Sequence, residues 1–138
     1  MPPVRLLAGL LLALLATQFA SAADEASTRV FELRTYYTLP GRLDALLARF
    51  RQHTCALFEK HGMTNIGYWV PADEKDGSRH KLVYVLAHAS RESAKASWAA
   101  FSADPEWKAV RTGSEADGRI VEKVESVFLT PTDFSALK

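Results

Sequence analysis

The clearest structural signal in the chain is Val-Phe-Glu-Leu-Arg-Thr-Tyr-Tyr, residues 30–37. It is rich in β-forming residues and alternates in polarity, which predicts a first strand. One face carries Phe31, Leu33, Thr35 and Tyr37, and the other carries Val30, Glu32, Arg34 and Tyr36. Pro40-Gly41 ends the strand, because this pair favours a turn.

A helix is predicted over residues 42–61, because apolar side chains recur there at three- and four-residue steps. The stripe consists of Leu43, Leu46, Leu47, Phe50, Thr54, Leu57 and Phe58. Arg42, Arg49, Gln52 and Lys60 are expected to lie away from it. Gly62 is the expected C-terminal stop.

Residues 63–70 and 81–88 read as two strands around a charged loop with an Asp76-Gly77 turn, which favours a hairpin. Period-two alternation places Asn65, Gly67 and Trp69 on one face of the first of these strands.

A second helical region is predicted to begin at Ser90, a favourable N-cap, and to restart at Asp104-Pro105. A last strand is expected at 119–129, and Phe134 and Leu137 in the tail are expected to dock on the body of the protein. The order β-α-β-β-α-β predicts an α+β, ferredoxin-like domain with an antiparallel four-stranded sheet.

Both helical regions should cover the same sheet face, which leaves the other face bare. Two bare faces could cover each other, so we expect a homodimer in which two sheets form an α/β barrel. Phe31, Leu33 and Thr35 suit the helix side. Glu32, Arg34 and Tyr36 are therefore expected to point into the barrel.

Residues 1–22 have the layout of a secretory signal: Arg5, an apolar run from Leu6 to Ala16, and Ala20-Ser21-Ala22 as the cleavage site. The expected organisation is a signal peptide at 1–22, a flexible leader at 23–29 and one domain at 30–138. The protein would then be periplasmic or secreted, without stable membrane insertion after cleavage. An uncleaved N-terminal anchor is the alternative.

The charge balance excludes a polyanion binder. Arg5 is the only charged residue before the predicted cleavage site, so the remaining chain has equal numbers of basic and acidic residues. Nucleic-acid binders usually show a basic surplus or stripe. Cys55 is the only cysteine, which excludes an internal disulfide.

Three residues are candidates for catalysis: Glu32, Arg34 and His53. Arg34 could clamp an anion while Glu32 acts as a base, or the two could form a buried ion pair or pair with the partner subunit. His53, at the edge of the helical stripe, could be a general base or ligand anchor, or a helix-border histidine bonded to a carbonyl.

Tyr36, Trp69 and His88 are candidates for binding a ligand. Trp69 would form a pocket wall beside Gly67 or pack against the partner sheet. His88 ends its strand and could reach the cavity rim. A metal site is not expected, because His53 and His61 lie about 12 Å apart along a helix, and His80 and His88 about 27 Å apart along a strand. No cofactor is predicted, although a haem ligated by His53 or His88 stays open.

Several segments together resemble the NIPSNAP family, from about Val30 to the C-terminus. They are Phe31 to Tyr36, Pro40-Gly41, Phe58 to Gly62, Gly67-Tyr68-Trp69, Ser90, Asp104 to Trp107, and Leu129 to Ser135. The resemblance implies a dimeric α/β barrel of two ferredoxin-like subunits, without a settled activity. Eukaryotic relatives are linked to mitochondria and to vesicle or mitophagy adaptor roles, with which the export signal disagrees. Wider relatives include cofactor-free monooxygenases, small cyclases and haem enzymes, which is analogy of fold only.

Two functions are compatible with these residues. The first is an exported homodimer that binds a small, partly apolar molecule or a partner without turning it over. The second is a cofactor-independent monooxygenase- or cyclase-like enzyme that uses the barrel cavity. The sequence contains no motif for a nucleophile–base pair or a metal cluster, which favours the first.

Overall fold

A computed structural model describes residues 28–138. The strands are β1 (Val30–Thr38), β2 (Thr64–Trp69), β3 (Lys81–His88) and β4 (Val121–Leu129). The helices are α1 (Leu43–Arg49), α2 (Cys55–Lys60), α3 (Arg91–Ala103) and α4 (Pro105–Ser114). A π-helical segment, Phe50–Thr54, joins α1 to α2.

The sheet has the order β2-β3-β1-β4, and every neighbouring pair is antiparallel. The core lies between this sheet and the helices, where Leu46, Phe58 and Tyr84 are fully buried. The predicted ferredoxin-like α+β fold with an antiparallel four-stranded sheet is therefore confirmed.

The first helix buries the predicted apolar stripe, but the π-helical segment interrupts it. In such a segment the backbone hydrogen bonds span five residues instead of the four of an α-helix. The Thr54 hydroxyl also donates a hydrogen bond to the Arg49 carbonyl at 3.2 Å. Arg49 is only 4% exposed, so its predicted position away from the buried side is wrong. Gly62 ends the helix as predicted, with φ at +79° and a bond from the Met63 amide to the Phe58 carbonyl.

The structure reverses the predicted faces of β1. Glu32 pairs with Leu86, Arg34 with Tyr84, and Tyr36 with Leu82, and these three β3 residues lie in the helix-covered core. Glu32, Arg34 and Tyr36 therefore face the helices, and Phe31, Leu33 and Thr35 face the bare side. The prediction failed because polar residues with partners can be buried as completely as apolar ones.

An irregularity between Asn65 and Gly67 shifts the register of β2 against β3. Asn65 consequently turns toward the helices, where its amide donates to the Cys55 carbonyl at 3.0 Å, contrary to the predicted alternation. Gly67 and Trp69 remain on the bare face, paired with Val85 and Val83. A side chain at position 67 would overlap the Trp69 ring, so glycine is required for this packing.

The bare face of the sheet exposes apolar side chains. Val127, Leu129 and Trp69 are 54%, 42% and 55% exposed. Leu137 of the tail helps to line a shallow pocket on this face, but Phe134 is 85% exposed. The expectation that Phe134 docks on the body is therefore wrong within one chain.

The predicted signal peptide, 1–22, and most of the predicted leader lie outside the described residues. At the end of the leader, the Arg29 guanidinium donates to the Lys138 carbonyl at 2.5 Å. Between residues 28 and 138, no helix has the length and apolar character needed to cross a bilayer.

Asp104 links the two halves of the helical layer, and its replacement is expected to destabilise the protein. It caps α4 as predicted, by accepting from the Glu106 amide at 2.8 Å, and it also pairs with Lys60 (2.8 Å) and His61 (2.7 Å). Bonds from Lys60, His61 and the Glu106 amide lower the pKa of Asp104. A lowered pKa contributes stability above the ordinary value near 4, and this contribution is lost as the pH falls.

We therefore expect Asp104→Ala to lower Tm by about 5 °C at pH 7. Asp104→Asn, which can still cap the helix, should lower it less. Scanning calorimetry at pH 7 and pH 3 measures both, and the deficit of Asp104→Asn should shrink at pH 3. A deficit of Asp104→Asn that is equal at both pH values would contradict the assigned ion pairs.

Candidate functional site

A buried carboxylate, Glu32 on β1, is the centre of the candidate site. Its side chain is 2% exposed, and each of its two oxygens accepts two hydrogen bonds. The four donors are Arg34 Nη1 (2.6 Å) and Ser126 Oγ (2.7 Å) to Oε1, and His88 Nε2 (2.8 Å) and Trp98 Nε1 (2.8 Å) to Oε2. We call these five residues the Glu32 cluster.

The environment of Glu32 determines its charge. Burial by itself would raise the pKa of this carboxyl, because it disfavours the ionised form. Hydrogen bonds from His88, Ser126, Trp98 and Arg34 outweigh burial and lower the pKa to about 2. Glu32 is therefore ionised at neutral pH and is a weak base, unlike the general base suggested by the sequence.

His88, at the end of β3, is completely enclosed. Its side chain is 0% exposed, so its predicted position at a cavity rim is wrong. The ionised Glu32 carboxylate can only accept, so the Nε2 atom of His88 must carry the proton of their shared bond. Its other ring nitrogen, Nδ1, is buried without a hydrogen-bond partner within the described chain.

Arg34 occupies the space between Glu32 and the aromatic side chains of the core. Its guanidinium lies 4.1 Å from the ring centre of Trp98, within the range of a cation–π contact. The buried ion pair between Glu32 and Arg34, one of the interpretations of the sequence, is confirmed at 2.6 Å.

An open pocket of about 530 Å³ lies above the Glu32 cluster, between α3 and the end of β4. It is lined by Glu32, Arg91, Glu92, Lys95, Trp98 and Phe128. The Arg91 guanidinium lies 3.8 Å from the ring centre of Phe128 at the mouth. The pocket therefore combines two aromatic walls with a charged rim, a common composition for a small-molecule site.

The other predicted site residues lie elsewhere. His53, on the π-helical segment, is exposed and lines a separate groove of about 620 Å³ between α1 and α4, so it does not join Glu32 and Arg34. Tyr36 packs edge-on against Phe50 and Tyr84 in the core, not in a barrel interior. Trp69 lies on the opposite face of the sheet, paired with Val83.

Sequence reasoning missed two members of the Glu32 cluster, Trp98 and Ser126. Trp98 belongs to the apolar stripe of α3, and Ser126 lies on β4, far from Glu32 along the chain. Strand register alone could have found Ser126, because it pairs with Arg34 and shares the face of Glu32. No local signal marks Trp98 as a hydrogen-bond donor.

In the part of the chain that the structure describes, no three His, Cys, Asp or Glu side chains converge as metal ligands would. The Glu32 carboxylate has all four of its hydrogen-bond acceptor positions filled by donors of this chain. The candidate site is therefore polar, desolvated and organised by the protein itself.

A helix-covered antiparallel sheet with a buried carboxylate cluster defines the chain as a ferredoxin-like α+β protein with a small-molecule-sized pocket. The NIPSNAP family model matches residues 31–136. The chain therefore belongs to the NIPSNAP family, as the resemblance implied.

Solved structures of similar fold agree with this assignment. One is a NIPSNAP family protein with unknown function from Agrobacterium tumefaciens (23% identity, TM-score 0.69, covering 81% of this chain and 96% of that one). Another is an uncharacterized NIPSNAP-like domain protein from Burkholderia xenovorans (19%, TM-score 0.67, 79% and 90%). A third is SnoaB, a cofactor-independent oxygenase from Streptomyces nogalater (11%, TM-score 0.53, 79% and 98%), which shares the fold alone. No curated protein matches the chain.

Proposed function

We propose that this protein is a homodimeric binding protein for a small, partly apolar molecule. The observation that carries the proposal is the pocket of about 530 Å³ above the Glu32 cluster. Trp98 and Phe128 offer apolar surface to the body of a ligand, and Arg91 and Lys95 offer donors to its acceptor groups. The buried cluster beneath fixes the orientation of Trp98 through its bond to Glu32.

The same geometry supports binding over catalysis. A general base works best with a pKa near the working pH, and the pKa of Glu32 is about 2. Arg34, the proposed anion stabiliser of the enzymatic alternative, is already paired with Glu32. His88 is enclosed, so a substrate has no access to its ring in this conformation.

A second copy of this chain is the proposed cover for the bare sheet face. Four strands of six to nine residues, at about 4.8 Å spacing and about 3.3 Å per residue, give a face of roughly 500 Å² in projection. This projected area is comparable to the largest apolar patch of a typical monomer, and the exposed tail residues Phe134 and Leu137 add further apolar surface.

The charges on this face suit a copy of itself. Lys123 and Glu125 form an ion pair there, and Tyr37 donates to Glu125 at 2.9 Å. Because both signs occur on one face, a two-fold axis can place each basic residue opposite an acidic one.

The binding proposal is tested by native mass spectrometry of protein purified from its own host. We expect a dimer mass with a retained small molecule, and Lys95→Glu should lower its occupancy by about tenfold by reversing a rim charge. Lys108→Glu is the matched control, because Lys108 is an exposed lysine on the neighbouring helix α4. Equal occupancy of the molecule in Lys95→Glu and Lys108→Glu would contradict binding at this pocket. The absence of a retained molecule from the wild type and from both variants would contradict it as well.

We also propose export to the periplasm or the medium, on the basis of the signal-like residues 1–22. Fractionation of the host, with N-terminal sequencing of the recovered protein, tests it. Recovery of the intact N-terminus from the cytoplasm would exclude export.

A further inference from the structure

Arg49 is a buried cation whose charge is poorly compensated. Its side chain is 3% exposed, and its contacts to Ser114 Oγ and Glu115 Oε1 are both long, at 3.4 Å. Its Nε atom is buried without a hydrogen-bond partner in the described chain. A purely structural arginine at this depth would be expected to have short, complete hydrogen bonding.

Burial of Arg49 away from water changes the pKa of its guanidinium. Burial lowers the pKa of its guanidinium, and attraction to Glu115 does not restore it to the ordinary value. The protein therefore maintains a desolvated positive charge at some cost in stability, which is common where a site is prepared for a ligand.

Arg49 lines a pocket of about 320 Å³ between α4 and the start of β4. The Trp107 ring centre lies 5.3 Å from the Arg49 guanidinium, and Tyr36 forms another part of the lining. This pocket and the one above the Glu32 cluster share no lining residue.

The charges around this pocket are unbalanced. Its basic side chains are Arg49, Arg111, Arg119 and Lys123, and its acidic side chains are Glu115 and Glu122. Glu115 is 3.9 Å from Arg111, and Arg119 donates to two backbone carbonyls instead of a carboxylate. Lys123 is paired with Glu125, so the other three basic and two acidic side chains leave one positive charge in excess, beside a buried guanidinium that lacks a full set of acceptors.

We infer that this pocket is a second binding site, which takes the oxyanion group of a small molecule, a carboxylate or a phosphate. The oxyanion accepts from the Arg49 guanidinium at the floor, while Arg111 and Arg119 attract it from the rim. Trp107 provides an aromatic face for the remainder of the molecule. Charge-assisted bonds to a planar guanidinium are among the stronger polar contacts of proteins, so the site can discriminate anions from neutral analogues.

The test titrates the purified protein with two probes, inorganic phosphate and benzoate, and with benzamide as the neutral analogue. Calorimetry measures affinity, and NMR follows the Arg49 Nε–H and Trp107 indole N–H signals. We expect a Kd of about 1 mM or tighter for at least one anion, with both signals shifting, and no binding of benzamide. A tighter Kd for phosphate than for benzoate, or the reverse, distinguishes a phosphate ligand from a carboxylate ligand.

Variants locate the site. Arg49→Gln should weaken anion binding by about tenfold or more, and Arg49→Lys should retain part of it. Arg51→Gln is the matched control, because it removes the same charge from an exposed position in the same helical region. If Arg49→Gln does not fold, Arg119→Gln at the exposed rim tests the same site.

Two results would overturn the inference. One is the absence of any shift of the Arg49 Nε–H signal at about 10 mM of either anion. The other is anion binding that Arg51→Gln weakens as much as Arg49→Gln does. Lys95→Glu should leave anion binding here unchanged, so failure at this site and failure at the pocket above the Glu32 cluster are distinguishable.

Discussion

Glu32→Gln is expected to lower the free energy of unfolding by about 3–5 kcal/mol at pH 7, because it breaks a buried, fully hydrogen-bonded ion pair from one side. Glutamine keeps one accepting oxygen, but its amide nitrogen would face two of the four donors. Arg34 would also be left without its carboxylate. Urea denaturation of the two proteins measures the difference.

The same difference should depend on pH, with a sign fixed by the lowered pKa of Glu32. The pKa falls from an ordinary 4.5 to about 2 on folding, so the carboxylate contributes stability above pH 4.5. That contribution, about 3 kcal/mol, is lost as the pH falls from 4.5 toward 2. Wild type and Glu32→Gln should therefore converge in stability near pH 2.

Glu74→Gln is the control for this experiment, since it removes the same charge from an exposed ion pair with Arg79 in the loop between β2 and β3. We expect it to change stability little, because exposed ion pairs contribute little. Equal stabilities of wild type and Glu32→Gln at pH 7 would show that the Glu32 cluster does not hold the ionised carboxylate described above.

Val127→Lys is expected to convert the proposed dimer into a monomer at about 10 µM, with a loss of about 100-fold or more in dimer affinity. Val127 lies on the bare face of β4, opposite Leu33, and two-fold symmetry would bring two added charges into one interface. Analytical ultracentrifugation reports the change directly.

Val124→Lys is the matched control, because it makes the same substitution on the same strand but on the helix-facing side, opposite Tyr36. Val124 is 41% exposed and should tolerate lysine. A wild-type protein that is monomeric at this concentration would exclude the proposed homodimer. Equal weakening of the dimer by both variants would exclude the bare face as its interface.

The order of the elements was predictable because each has a local cause. Period-two alternation in 30–37, the apolar stripe of the first helix and the cap at Asp104 act between residues close in sequence. These signals, with the right-handed crossover rule, are sufficient for a ferredoxin-like topology. Membership in the NIPSNAP family was predictable from the order and spacing of short segments along most of the chain.

Only part of the candidate site could be predicted from the sequence. Glu32 and Arg34 are two residues apart on one strand face, so their ion pair could be anticipated from the strand alone. The prediction that they face a barrel interior was wrong, because alternation separates two faces without saying which one the helices cover. Arg49 was misplaced because its burial depends on the helical packing around a π-helical segment that the apolar stripe did not signal.

Local patterns in the chain account for the element order, the caps, and the alternation that places a carboxylate and a guanidinium on one strand face. The surroundings of those two charges, in contrast, depend on how distant elements pack together. Trp98, His88 and Ser126 reach Glu32 from three different elements, and their hydrogen bonds, together with that of Arg34, outweigh burial and hold the carboxylate as an anion with a pKa of about 2. The physical reason is that desolvation and hydrogen bonding depend on every group within a few ångströms, whereas local pattern depends only on neighbours in the chain.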